Sequence, residues 1–170
     1  MGLSIAISGG IVLFALAYIL LTLPGLVSNT VSITKASTDI SQVENSILKT
    51  NINLQAIYAA SGSSAINFTV ANTGTEKLWN FEKFNLIVAY PVTGQIITES
   101  LSYGGLCSGL PSSGNWCISS INSDNIDPNI LNTDESLNIL SRVSQTPISG
   151  VVSAAVSTDN GVVATNATST

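Results

Sequence analysis

The 170-residue chain contains no histidine, and its only thiols are Cys107 and Cys117. Without imidazole the usual general base and metal ligand at neutral pH is missing, and the carboxylates are scattered rather than set beside a nucleophile. The chain is therefore read as a non-enzyme that needs no cofactor and has no catalytic, cofactor-binding or metal-ligating residue. The two cysteines bracket SGLPSSGNW, a flexible segment rich in Gly, Ser and Pro. A pair this close reads as a disulfide made in an oxidising compartment, the alternative being two unrelated buried thiols. Zinc lacks the further ligands that a tetrahedral site requires. Asp124, Asp127, Asp134 and Glu135 alternate with Asn122, Asn125, Asn129 and Asn132, an oxygen-rich loop. Its spacing is not that of an EF-hand, and turn chemistry alone explains Asp and Asn there. Asn67-Phe68-Thr69 and Asn166-Ala167-Thr168 match the N-glycosylation pattern, which points to the outside of the cell.

Something must hold these groups outside the cytoplasm. Residues 3–27, LSIAISGGIVLFALAYILLTLPGLV, carry no Asp, Glu, Lys or Arg. About 20 apolar residues cross a bilayer as a helix, so residues 1–27 are read as a single-pass membrane anchor, with Pro24 and Gly25 near its end as a place to break or kink. A cleaved secretory signal or a pilin-type precursor would carry a basic segment ahead of the apolar run, and the only positive charge before Leu3 here is the amine of Met1. The expectation is an uncleaved anchor. Lys35 alone says little about orientation; the cysteine pair and the sequons place the N-terminus inside.

Residues 28–49 place Ile33, Ala36, Ile40, Val43 and Ile47 at spacings of three and four, the narrow seam of a helical stalk. That seam lies on a partner helix or on the chain's own domain. From residue 50 the period changes to two. Ile52, Leu54, Ala56 and Tyr58 alternate with Asn51, Asn53, Gln55 and Ile57, and Ile66, Phe68 and Val70 alternate with Asn67 and Thr69, this second run being ended by a turn at Asn72-Thr73-Gly74. Trp79, Phe81 and Phe84 are the expected large core anchors. Further strands are read over 84–90, stopped by Pro91, then over 95–101, 116–121, 135–143, 151–157 and 162–165, with a turn at Asp159-Asn160-Gly161. Six to eight short strands separated by turns predict an all-β antiparallel immunoglobulin-like sandwich over residues 50–170, without the inter-sheet disulfide of antibody domains.

In the strand after Phe84, Leu86, Val88 and Tyr90 fill one face while Ile87 and Ala89 lie on the other. Sandwiches leave the outer face of each sheet wet, so Ile87 and Ala89 mark a candidate partner interface unless the domain itself covers them. A net charge of −5, with 9% charged residues, offers no basic footprint for nucleic acid. The polarity comes from Ser, Thr and Asn, as suits a cell-surface protein.

The opening MGLSIAISGGIVLFALAYILL, the stalk, and above all FTVANTGTEKLWNFEKFNLIVAY (residues 68–90) resemble the FlaF and FlaG families of archaellum accessory proteins, the opening being nearer FlaF. The resemblance implies an uncleaved membrane helix followed by an archaellin-like sandwich outside the cytoplasmic membrane. It also implies a stator role, in which the domain associates with a FlaG-type sibling and is held to the S-layer protein, as a homodimer or hetero-oligomer in the cell envelope. A FlaG-like partner role, or an archaellin- or pilin-like filament subunit, is the alternative. The Cys107–Cys117 loop has no counterpart in that resemblance.

Overall fold

The computed structural model describes residues 2–124 and 126–170, without the side chains of residues 2–6, 23 and 26–29. The chain divides into two compact units, Met1–Glu44 and Asn45–Thr170. Helix α1 spans Gly2–Lys49 and runs through Pro24 without a break. Proline in a helix interior removes one hydrogen bond and costs about 3 kcal/mol.

Among the described residues no helix is long and apolar enough to cross a membrane. The described part of the apolar run, residues 7–22, would extend about 24 Å at 1.5 Å per residue, against a hydrocarbon core of about 30 Å. The rest of the expected anchor falls largely on side chains outside the described residues: Leu3 to Ala6, Leu23, Leu26 and Val27. Large apolar side chains from Ile7 to Leu21 are exposed. Farther along, Thr34 and Thr38 hydroxyls donate to the carbonyls of Thr30 and Thr34, four residues back. Those hydroxyls are satisfied within the helix. Ile33, Ala36, Ile40 and Val43 stay exposed beside them.

The second unit holds eight strands: β1 Ile52–Ala59, β2 Ala65–Asn72, β3 Asn85–Val92, β4 Gln95–Leu106, β5 Asn115–Asn122, β6 Ser136–Arg142, β7 Val151–Ser157 and β8 Val163–Ser169. They hydrogen-bond in one order, β1-β2-β6-β5-β4-β3-β7-β8. The expected two-sheet antiparallel sandwich is thus a single, mostly antiparallel sheet folded round into a nearly closed barrel. Strand β4 is the corner. Its first half pairs with β3 up to Leu86↔Leu101, and its second half pairs with β5 in parallel from Ser102↔Asn115. A parallel pair needs a crossover, which the disulfide loop between β4 and β5 supplies. The positive φ of Gly105 falls where the β4–β5 register shifts between Tyr103 and Leu106.

Inward side chains alternate as period two requires. Ile66, Phe68 and Val70 face Leu86, Val88 and Tyr90, with Trp116, Leu137, Ile139, Val152 and Val156 filling the space between. Phe81 and Phe84 are buried and meet edge to face at 5.3 Å. Trp79, expected beside them, is 61% exposed. Alternation in β1 also departs from expectation, because a bulge at Gln55 shifts the register between Leu54 and Ala56. Beyond it Ile57 turns inward and Tyr58 outward, the reverse of strict alternation.

Pro91 does not stop β3; it pairs with Ile96, and the strand continues to Val92. Pairing of β3 with β7 has already ended at Ala89↔Ser153, so no ladder bond is lost on that side. Instead the Pro91 carbonyl accepts from Ile148 N. Tyr90, fully buried, receives Gln145 N at its hydroxyl and so pins the β6–β7 connection.

Candidate interaction surfaces and the helix–domain joint

The outward positions of the β4–β3–β7–β8 half are uncharged, and many are small, with the larger apolar Ile87, Ile96, Val151 and Val163 exposed among them. Ile87 pairs across with Ser100 and Ala155, Ala89 with Thr98 and Ser153, and β8 adds Thr165 and Ala167 in the same rows. Ile87 is 42% exposed and stands beside a shallow groove of about 480 Å³ lined by Ala89, Ser153, Ala155, Thr165 and Ala167. The domain's own core does not cover Ile87.

The outer face of the other half is polar and bonded to itself. Thr69 Oγ1 donates to Asn138 Oδ1 at 3.2 Å, and Asn138 Nδ2 donates to Ser120 Oγ and Asn122 Oδ1, each at 3.0 Å. One amide thereby ties β2, β6 and β5 together across their outer surface. Cys107 and Cys117 form a disulfide with Cα atoms 5.1 Å apart, as expected from their spacing. It covers the outer side of β5 and closes the crossover loop.

Between β1 and β8 the barrel is closed by a side chain. Asn166 Nδ2 donates to the carbonyls of Leu54 (2.7 Å) and Gln55 (3.3 Å), while its Oδ1 accepts from Ala167 N. The nitrogen that a glycan would take is engaged here. Asn67 is exposed on β2.

At the end of the domain where α1 arrives, two loops are zipped by the Leu78↔Leu131 bridge. Fully buried Asn72 donates from Nδ2 to the carbonyls of Glu76 (2.7 Å) and Leu131 (3.0 Å). The acidic residues act as turn acceptors: Asp124 receives Asn129 N, Glu135 receives Asn132 N, and Asp127 pairs with Lys77. Asp127, Asn129 and Asp134 have positive φ, a conformation that Asp and Asn adopt more readily than most residues. Among the described residues no group of three or more His, Cys, Asp or Glu side chains is placed to hold a metal; Asn125 lies outside them.

Trp79 also walls a cleft of about 210 Å³ with Tyr103, Leu106, Ile121 and Asn129. Tyr103 packs on Trp116 at 4.7 Å. Burial raises the pKa of the Tyr103 phenol above its ordinary value, and the negative charge of Glu82 raises it further.

The last turn of α1 meets the domain without a linker. Only Thr50 and Asn51 separate Lys49 from β1. The Lys49 carbonyl accepts from Thr75 N (2.8 Å) and Glu76 N (3.2 Å), and the Asn51 carbonyl accepts from Thr73 N and Gly74 N. Thr50 Oγ1 donates to the Ser46 carbonyl and receives Asn160 Nδ2 at 2.6 Å. Sequence reasoning placed turns at residues 72–74 and 159–161 but could not place them here, since nothing in their spacing names a helix end as their partner.

These features define a class: a β domain preceded by a long helix, distinguished by its surfaces and by the joint between its last helical turn and its first strand. No family model matches the chain, and no curated protein matches it. Among solved structures it is similar to the archaellum periplasmic stator protein FlaG from Sulfolobus acidocaldarius, at 16% identity over 70% of this chain and 99% of that one, with a TM-score of 0.48. It is also similar to the archaellum periplasmic stator protein complex FlaF and FlaG from the same organism, at 15% identity over 69% of this chain and 87% of that one, with a TM-score of 0.49.

Proposed function

We propose that the chain is a membrane-anchored structural protein of the cell envelope, with α1 held in the cytoplasmic membrane and the β domain displayed outside as a stator-type support. The observation that carries this reading is the bare apolar surface of α1, where side chains from Ile7 to Leu21 are 50–81% exposed. Water penalises such a surface at about 25 cal/mol per Å², and a bilayer removes the penalty. The disulfide supports an oxidising location for the domain. The likeness of residues 68–90 to the FlaF and FlaG families supports the stator role, with the S-layer protein as the fixed partner.

The Ile87–Ala89 face serves as the contact for a second copy or for a FlaG-type sibling of similar fold. Asn67 is the sequon available to a glycan. Alkaline-carbonate extraction combined with intact-mass measurement tests the anchor: the chain is expected to stay with membranes at its full 17.6 kDa. A chain shortened at its N-terminus would favour a filament subunit instead. Cosedimentation of the detergent-solubilised chain with purified S-layer sheets tests the partner, and a chain left in the supernatant refutes it.

A further inference from the structure

A helix that ends in water leaves carbonyls unpaired or turns back on a glycine of its own. Neither occurs at Lys49. The residue after it is Thr50, and the Lys49 carbonyl is capped by Thr75 and Glu76, which belong to the turn after β2. Gly74 makes this approach sterically feasible. A Cβ at that position would lie 2.3 Å from the Lys49 carbonyl oxygen and 2.4 Å from Asn51 N, distances that no side chain tolerates. A second turn clamps the opposite side, Asn160 donating to Thr50 Oγ1 and, at 3.3 Å, to Ser46 Oγ. The Asn160 carbonyl oxygen of the side chain is in turn held by the Thr158 hydroxyl, and Thr158 is buried.

We infer that residues 46–51 form a rigid coupling, in which Gly74 and Asn160 position the last helical turn so that load on the β domain passes into that turn without a hinge at Thr50. Four main-chain hydrogen bonds converge on two carbonyls, and a load must break them together rather than one at a time. A flexible tether of Gly and Ser would serve equally well to display a binding domain, but it would not transmit a twist. The inference deepens the support role proposed above and depends on it for the meaning of the load, though the rigidity is measured separately.

The chain has only five basic residues, so trypsin reports on few bonds: those after Lys35, Lys49, Lys77, Lys83 and Arg142. In the full-length chain in detergent micelles, cleavage after Lys49 is expected to be at least about tenfold slower than after Lys35, because proteolysis requires local opening. Gly74→Ala is expected to abolish that protection, and Asn160→Ala to reduce it several-fold, with Lys35 cleavage unchanged in both. Should Gly74→Ala also expose the bonds after Lys77, Lys83 and Arg142, the whole domain has opened and the Lys49-to-Lys35 ratio in Asn160→Ala decides. Equal cleavage at the two lysines in the wild type, or a ratio that neither variant moves, overturns the inference. Membrane retention does not depend on this ratio, so the coupling can fail while the anchor stands.

Discussion

The two outer faces of the barrel come from the same kinds of strand and the same Ser-, Thr- and Asn-rich composition, yet they are finished differently. On the β2–β6–β5 side, Asn138 spends its amide on Thr69, Ser120 and Asn122, so the surface polar groups satisfy one another. On the β3–β7–β8 side the corresponding rows hold Ala89, Ser153, Ala155 and Ala167 around Ile87, with little to offer water and no charge to repel a partner. A self-bonded face gains little from being covered, whereas a small apolar face gains from every methyl group removed from water. What makes a face available for association is thus the absence of local bonding more than its polarity.

Placing a charge on the apolar face gives the largest expected effect. Ile87→Lys should weaken association with a second copy or a sibling at least 100-fold, about 3 kcal/mol, by forfeiting Ile burial and burying an unpaired ammonium. Stability of the monomer should change by under about 0.5 kcal/mol, since Ile87 is half-exposed. Sedimentation of the full chain in detergent reads the first quantity and chemical denaturation the second. Equal masses for wild type and variant would remove the distinction between the faces.

Replacing both Cys107 and Cys117 by Ser acts on the polar side. It should lower stability by about 2–3 kcal/mol and leave association unaltered, because Ile87 pairs with Ser100 and Ala155 whereas the loop begins after the end of β4 at Leu106. A change in sedimentation would show that the two halves are not independent. Asn138→Ala should cost about 1 kcal/mol in denaturation, since three partners on neighbouring strands lose one amide but keep access to water. Association should again be unchanged.

The smallest effect is at the corner between the halves. The Tyr103 phenol has its pKa raised by burial and by Glu82, so its stabilising contribution is fully present below the unfolded value near 10 and is lost as pH rises through the folded value. Tyr103→Phe should flatten the alkaline limb of the stability–pH curve without affecting its neutral part. An unchanged alkaline limb would mean that Tyr103 is as well solvated folded as unfolded.

Residue order alone determined most of the local structure. Period-two patterns located the eight strands, because a buried face must recur at every second position whatever the topology, but they ended β4 five residues and β8 four residues too early. The cysteine spacing specified the disulfide, and the inner face of β3 was legible in Leu86, Val88 and Tyr90. Only the tertiary structure decided which strands are neighbours. The parallel β4–β5 pair and the continuous β3 past Pro91 depend on where the chain crosses over and where β7 stops, and these are long-range facts. The bulge at Gln55 reversed Ile57 and Tyr58 for a similar reason: one unpaired residue moves every later side chain to the other face. Trp79 lies outside, whereas Phe81 and Phe84 are buried and pack on each other, a division that aromatic content alone does not decide. Asn166, Gly74 and Asn160 were visible as a sequon and as two turns. Their partners lie 23 to 114 positions away, so their roles as seam and coupling exist only once folding has brought those backbones together.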